Sequence, residues 1–244
     1  MKRHLILFLV LALVCSTFTF VFADDYFTYN MINGWRCTYQ DVQEDQYYTD
    51  AVEWAVVDNI FVPEGKTFGV GKLATRAECV MVLYKAAGSP HLFYGMDTIP
   101  FVDVKETDEW CDAVIWAYNN GITKGMDEKH FNPNGTLTRA EMFTMLWRVD
   151  GGRTNNTKIY FADVVEGSYY ETAVRWGYDQ KLVKGVSDTS FAPKNTLKRV
   201  DLLTFCYRYF EQTYSQRNKE WLGLDDYTYN YYFNASGTDL WYRY

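Results

Sequence analysis

Three arginines stand at equivalent places in a pattern that this chain repeats three times. Arg76 and Arg139 lie within Thr-Arg-Ala-Glu, and Arg199 occupies the same place in Lys-Arg-Val-Asp. A guanidinium group can hold a carboxylate through two parallel hydrogen bonds. The residue type and its repetition therefore predict recognition of an acidic ligand at several similar sites.

The predicted position of each arginine, in the first turn of a helix, supports this chemistry. A cation there opposes the helix dipole at a cost of several tenths of a kcal/mol, whereas free backbone N–H groups at the same end favour an anion. A charge-assisted hydrogen bond is worth about 1.5–3 kcal/mol, which outweighs that cost. The alternative is a structural salt bridge to one of three repeated aspartates, Asp41, Asp103 and Asp163. From the residues alone, ligand binding and a structural salt bridge are about equally favoured.

The elements that position the arginines are two helices in each repeat. Every repeat reads Asp-Val, an apolar helical stretch with a tryptophan 13 residues after the aspartate, a loop, and a phenylalanine 8 residues before the arginine. Apolar residues three and four apart, such as Ala113 and Trp116, predict the first helix. Asn119-Asn120-Gly121 is typical of a helix C-terminus at which a glycine adopts the left-handed conformation. Thr75-x-x-Glu78 and Thr138-x-x-Glu141 are capping boxes that predict where the second helix begins.

The other repeated residues carry a structural and a functional interpretation each. The aspartates are expected mainly to cap helices. Core packing is the default role of the three tryptophans, and stacking on a sugar ring is the alternative. Lys124 and Lys184, each followed by a loop glycine, are candidates to add positive charge, although lysines are more often simply exposed. The three tryptophans are Trp54, Trp116 and Trp176, and the two loop glycines are Gly125 and Gly185.

Composition excludes several function classes. The formal net charge of −7 argues against nucleic-acid binding, and the 48% hydrophobic content is typical of a globular protein. We expect no cofactor. No metal site is expected. The stretch that begins at His130 resembles part of a calcium-binding loop, but histidine at its first position is a poor calcium ligand. The cysteines after the leader are predicted to be buried small hydrophobes, with their disulfide pairing left open: Cys37, Cys79, Cys111 and Cys206.

Both ends of the chain differ from the repeats. Lys2-Arg3, an apolar run and Val21-Phe22-Ala23 predict a secretory signal peptide, with a retained anchor as the alternative. Alternating aromatic residues from Tyr227 onward predict a small β-hairpin that caps the body or binds a partner. The predicted divisions are a signal peptide (1–23), an N-terminal extension (24–37), three repeats (38–90, 98–152 and 158–211) and an aromatic tail (212–244).

The ordered set of motifs, three times over, resembles the S-layer homology (SLH) repeat. The motifs are Phe-x-Asp-Val, Ala-Val-x-Trp-Ala, Gly-Ile-x-x-Gly, Phe-x-Pro and Thr-Arg-Ala-Glu, across roughly residues 38–210. The resemblance implies an all-α, pseudo-threefold bundle that attaches non-covalently to a secondary polysaccharide linked to peptidoglycan, often carrying pyruvylated sugars. Val62-Pro63, Val70 and Lys198 depart from the pattern, and these departures leave open how many grooves bind ligand.

The sequence therefore predicts a secreted, non-enzymatic module of the cell wall or S-layer. Grooves between neighbouring repeats would hold an acidic glycan, with the arginines on its carboxylate and the tryptophans and aspartates shaping each groove. An Arg139→Ala variant is expected to bind less well without losing helicity. The alternatives are an adaptor that binds a protein partner through residues 212–244 and, less favoured, a wall-glycan enzyme.

Overall fold

The computed structural model describes residues 39–92, 99–154 and 157–222, which correspond to a first, a second and a third unit. The predicted signal peptide, the N-terminal extension and the predicted hairpin lie outside the described residues. Each unit consists of a short outer helix, a loop and a longer central helix. The helices are α1 (Thr49–Val57), α2 (Arg76–Ala86), α3 (Cys111–Asn119), α4 (Arg139–Val149), α5 (Glu171–Asp179) and α6 (Arg199–Leu222).

The prediction of an all-α fold is confirmed for the described residues, where extended backbone forms only single bridging pairs. Thr75 and Thr138 accept the predicted hydrogen bonds from Glu78 and Glu141, and both capping boxes are complete. The third unit lacks the hydroxyl group. There the Lys198 amide donates to the Asp201 carboxylate at 3.2 Å. Helix α6 continues to Leu222 and so extends into the segment that the sequence set apart as a tail.

The outer helices end as predicted, with a residue in the left-handed region. Gly121 has φ 69°, and Asn59 and Lys181 hold the same place in the other units with φ 53° and 58°. The chain therefore turns at the same point in all three units even where glycine is replaced. This common turn sends the following loop back across the top of its own central helix.

The units interlock because each outer helix packs on the central helix of the preceding unit. Helix α3 packs on α2, α5 packs on α4, and α1 packs on α6, while α2 also contacts both α4 and α6. The first unit thus depends on the last unit of the chain for its partner. The arrangement closes on itself, so that no unit is left with an unpaired end.

A ring of three backbone hydrogen bonds joins the units where their central helices begin. The Ala74 amide donates to the Leu197 carbonyl, the Leu197 amide to the Leu137 carbonyl, and the Leu137 amide to the Ala74 carbonyl, each at 2.9 Å. All three side chains are buried. Because each residue both donates and accepts, the ring leaves none of these buried groups unpaired.

The core lies between the central helices and beneath the loops. Phe68, Phe131 and Phe191 have no exposed surface, and each ring packs against an aromatic residue near the start of its own unit, namely Tyr39, Phe101 and Phe161. Cys79, Cys111 and Cys206 are free and buried, which confirms their predicted role as small hydrophobes, whereas Cys37 lies outside the described residues. Burial raises the pKa of the Cys79 thiol to about 12, so this thiol stays protonated and inert at neutral pH.

We predict that Gly125→Ala destabilises the fold far more than Gly121→Ala. Gly125 has φ 80°, and a Cβ atom there would lie 2.4 Å from the Phe101 ring and 2.7 Å from the Asp127 carbonyl oxygen. Strain and overpacking should together cost about 3 kcal/mol of unfolding free energy. Gly121 has φ 69° with open space around it, so its substitution should cost only about 1 kcal/mol. Urea denaturation measures both values, and equal losses would contradict the packing argument.

Candidate functional site

Grooves run between the units, and each is built from three of them. The second groove is formed by the loop at residues 123–126 and α4, with Arg76 from the first unit and Tyr169 from the third, around a cavity of about 490 Å³. The first groove is formed by the loop at residues 60–64 and α2, with Arg199 and Trp110, around about 640 Å³.

Each arginine reaches into the following unit and donates to the carbonyl of that unit's buried phenylalanine. The three pairs are Arg76 Nε to Phe131 at 2.8 Å, Arg139 Nε to Phe191 at 2.9 Å, and Arg199 Nη1 to Phe68 at 2.7 Å. The guanidinium groups also lie over aromatic rings at 4.8–5.0 Å from the ring centroids, which adds a cation–π contribution. The arginines therefore clamp neighbouring units together.

Two of the arginines also form salt bridges, but not with the aspartates that the sequence suggested. Arg76 Nη1 lies 2.9 Å from Glu141 Oε1, and Arg199 Nη2 pairs with Glu78. Each glutamate is the capping-box residue of the next unit, so one carboxylate serves both a helix end and an arginine. The structural alternative is thus correct in kind for these two arginines and wrong in its partner.

The backbone amides beside the arginines are not free, so this part of the predicted mechanism is wrong. The Arg76 amide donates to Gly135, the Arg139 amide to Asn195 and the Arg199 amide to Lys72, at 2.8–3.0 Å. Each acceptor is a loop carbonyl of the following unit. These helix ends are therefore satisfied by the protein itself, and an anion in a groove has to be held by side chains.

The three repeated aspartates hold the loop before the central helix. The prediction that they cap the outer helices is wrong. Asp103 accepts hydrogen bonds from the amides of Phe131 and Asn132 at 2.9 and 2.7 Å. Asp41 does the same for residues 68–70, and Asp163 for residues 191 and 192. The outer helices begin eight residues after each aspartate without a side-chain cap. The aspartates therefore hold the phenylalanine that the arginine of the preceding unit contacts.

These hydrogen bonds favour the ionised form of the carboxylates. Burial by itself would raise the pKa of Asp163, but the Phe191 amide, the Ser190 hydroxyl and the Ala192 amide together lower it below its ordinary value of 3.8. Asp41 follows the same balance, with burial opposed by three amides, and its pKa is also lowered. Ionised aspartates at these positions consequently stabilise the folded chain.

The tryptophans pack between units, as their core interpretation predicted. Trp116 and Trp176 are buried. The Trp116 ring lies against Tyr84, and the Trp176 indole nitrogen donates to Asp150 at 3.0 Å. Trp54 is half-buried, with its ring stacked on Phe210 of α6. Neither of the two grooves described above is lined by these tryptophans, so sugar stacking in them would need other rings.

The loop lysines and glycines differ in what the structure shows of them. Lys124 and Lys184 are exposed, and Lys124 and Gly125 line the second groove. Gly125 and Gly185 have φ 80° and 86°, and in each case a Cβ atom would collide with the ring of Phe101 or Phe161. The glycines thus give the loop its shape, while Lys124 contributes charge.

One further set of groove residues was missed by the sequence interpretation. Nine residues after each of the three arginines, the same helix carries a basic residue: Lys85, Arg148 and Arg208. Lys85 lines the first groove and Arg148 the second, and Arg148 Nη1 donates to the Ile122 carbonyl at 3.0 Å. The signal that could have revealed them was the threefold spacing itself, because residues nine apart lie about 180° apart on a helix and so on the side opposite the arginine.

Within residues 39–92, 99–154 and 157–222, no three His, Cys, Asp or Glu side chains are arranged to hold a metal ion. Among the helices of those same ranges, none combines the length and the apolar character needed to cross a membrane.

Comparison with known proteins identifies two of the units. Residues 100–143 and 160–202 match the family model described as the S-layer homology domain, and these segments lie in the second and third units. The first of these segments includes the loop at residues 123–126 and the start of α4, which line the second groove.

Some of the proteins similar to this chain are named for the cell surface or the surface layer. The chain is 28% identical over 148 residues to "Cell surface protein" of Thermoanaerobacter kivui, covering 59% of this chain and 18% of that protein. It is 29% identical over 125 residues to "Surface layer protein" of Brevibacillus choshinensis, covering 50% and 10%. It is 24% identical over 193 residues to "Exoglucanase XynX" of Acetivibrio thermocellus, covering 77% and 16%. In each case the match spans less than a fifth of the relative.

We predict that Arg139→Met lowers the unfolding free energy by about 2–4 kcal/mol, because it leaves the buried Phe191 carbonyl without its charged donor. Arg208→Met is the matched control, since Arg208 is an exposed arginine of α6 and its loss should change stability by less than about 0.5 kcal/mol. Urea denaturation distinguishes the two. The Arg139→Ala variant is therefore expected to lose stability, in addition to any loss of binding. Equal stability of both methionine variants would contradict the clamp.

We also predict a stability loss in acid that depends on the loop aspartates. Because the pKa of Asp163 is lowered in the folded chain, its contribution is complete above about pH 4 and is lost as the pH falls through the lower folded value. Asp163→Asn should flatten the decline in unfolding free energy between pH 5 and pH 2. Asp188→Asn, at an exposed position, should leave that slope as in the wild type. An unchanged slope in Asp163→Asn would refute the assignment.

Proposed function

We propose that this chain anchors non-covalently to the bacterial cell wall by binding an acidic secondary polysaccharide in the grooves between its units. The observation that carries the proposal is the charge of the second groove. Arg76, Lys124 and Arg148 line it together with a single carboxylate, Glu141, although the chain as a whole has a net charge of −7. Such a local reversal of sign favours an anionic ligand over a neutral one.

The carboxylate of a pyruvyl ketal suits this site. It is a small, flat anion on a sugar ring, and guanidinium and ammonium groups converge on a cavity large enough for such a unit. Tyr169 adds a phenol at the rim of the groove. Burial, followed by the nearby Glu141 carboxylate, raises the pKa of Tyr169, so its hydroxyl stays protonated.

The first unit belongs to the same module in this proposal. Its Asp41 holds the loop at Phe68 and Gly69 at 2.7 Å in each case, and Arg76 clamps it to the second unit as Arg139 clamps the second to the third. We therefore interpret it as a third, diverged SLH repeat. Three repeats closed into one body would present their grooves at fixed spacing, which suits a polymer with repeating sugars.

Surface location follows from the same reasoning. The relatives named for the cell surface and the surface layer contain this kind of segment as a small part of a longer protein. An anchoring role explains why a similar segment also occurs in a protein named as an exoglucanase. A secreted, wall-bound location and a non-catalytic role are proposed here on that basis.

The test is co-sedimentation with wall sacculi. Purified protein should pellet with untreated sacculi and remain in solution when the secondary polymer has been removed by acid treatment. Raising the salt concentration should weaken pelleting, because the groove contacts are charged and partly exposed. Equal pelleting with both preparations would refute the polysaccharide as ligand. A variant ending at residue 222 should still pellet. If it does not, the alternative is favoured, in which the chain is an adaptor that binds a partner through the tail removed in this variant.

A further inference from the structure

The first and second grooves share one backbone plan but differ in the residues that face a ligand. Where the second groove has Lys124, Gly125 and Met126, the first has Val62, Pro63 and Glu64. Where the third unit contributes Tyr169 to the second groove, the second unit contributes Glu109 to the first. The lysine is lost and two carboxylates are gained at the equivalent positions.

These exchanges reverse the charge of the first groove. Its lining includes two cations, Lys85 and Arg199, against three carboxylates, Glu64, Glu78 and Glu109. The second groove has three cations against one carboxylate. Both glutamates that the first groove gains line it and are exposed. An anion would therefore be attracted to one groove and repelled from the other.

The arginines of the two grooves also differ in what they can still offer. Both terminal nitrogens of Arg199 are engaged, one by the Phe68 carbonyl and one by Glu78, and its buried nitrogen without a hydrogen-bond partner among the described residues is Nε, which carries a single N–H. Arg76 uses Nε and Nη1 for its protein partners, while its Nη2 is buried with no hydrogen-bond partner among the described residues. The Arg76 side chain is 4% exposed and lines the second cavity. Such a buried donor on a charged group is expected to bind an acceptor.

We infer that the carboxylate of the wall ligand binds in the second groove, on Arg76, Lys124 and Arg148, and that the first groove does not accept it. This inference rests on the proposed function and specifies which groove performs it. Arg148 and Lys124 are specificity-determining residues in this view. The first groove keeps the same helices for the stability of the ring and contributes no affinity for the acidic sugar.

The experiment compares one lysine of each groove. The probe is a methyl hexopyranoside carrying a 4,6-O-pyruvyl ketal, and binding is followed by proton–nitrogen NMR of the full chain. The backbone amides of Thr123 and Lys124 should shift on titration, whereas the indole N–H of Trp110 in the first groove should not. Lys124→Gln should weaken binding about tenfold, since a charge-assisted hydrogen bond is lost, and Lys85→Gln should leave it within about twofold.

The outcomes separate this inference from the proposed function. The assignment to the second groove is refuted if the Trp110 signal shifts with the same affinity as the Thr123 and Lys124 amides, or if Lys85→Gln weakens binding as much as Lys124→Gln. If the chain still pellets with sacculi in that case, the proposed anchoring role stands. If the probe shifts no groove residue, the carboxylate site is refuted. Failure to pellet with untreated sacculi refutes the anchor itself. The uncharged methyl hexopyranoside is the control ligand and should bind at least tenfold more weakly.

A transplant provides the converse measurement. The triple variant Val62→Lys, Pro63→Gly and Glu109→Tyr gives the first groove the lysine, the glycine and the tyrosine of the second and leaves Glu64 in place. The Trp110 indole signal should then respond to the probe, with the second groove unaffected. A triple variant that folds and still shows no response at Trp110 would show that these three residues do not decide which groove binds.

Discussion

The ring of backbone hydrogen bonds among Ala74, Leu137 and Leu197 is the constraint on which the rest of the structure depends. Each bond links two different units, so the ring closes only when all three are in place. It fixes the start of the central helices relative to one another. The clamping arginines follow two residues later and inherit that geometry, which explains why they reach the next unit's phenylalanine in the same way three times.

The arginines combine a structural and a proposed recognition role because of their donor count. A guanidinium group has five N–H donors, and a carbonyl plus one carboxylate do not exhaust them. Arg76 keeps a buried nitrogen unpaired after both contacts. A lysine could form the salt bridge but could not clamp a carbonyl, lie flat on a ring and still face a groove. The same residue thereby ties the affinity of a groove to the integrity of the interface behind it.

Closure also lets the units diverge. The groups that hold a unit in the ring, such as Asp41 and Phe68 in the first unit, lie behind the groove and are kept. The groove surface is formed by loop residues whose side chains make few contacts, and Val62 and Glu64 replace lysine and methionine there without disturbing the helices. A threefold scaffold with unequal grooves results, because stability depends on the buried ring and specificity on exposed positions.

The sequence by itself determined the repeats, both capping boxes, the left-handed helix ends and the buried phenylalanines, since each depends on residues close together in the chain. Only the tertiary structure decided the partners of Asp103, Arg76 and the helix amides, because these partners lie at least 28 residues away in the chain. Local spacing suggested an open helix end and an aspartate cap. The ring brings a neighbouring loop to that end, and long-range geometry replaced the expected ligand with the protein's own carbonyl groups.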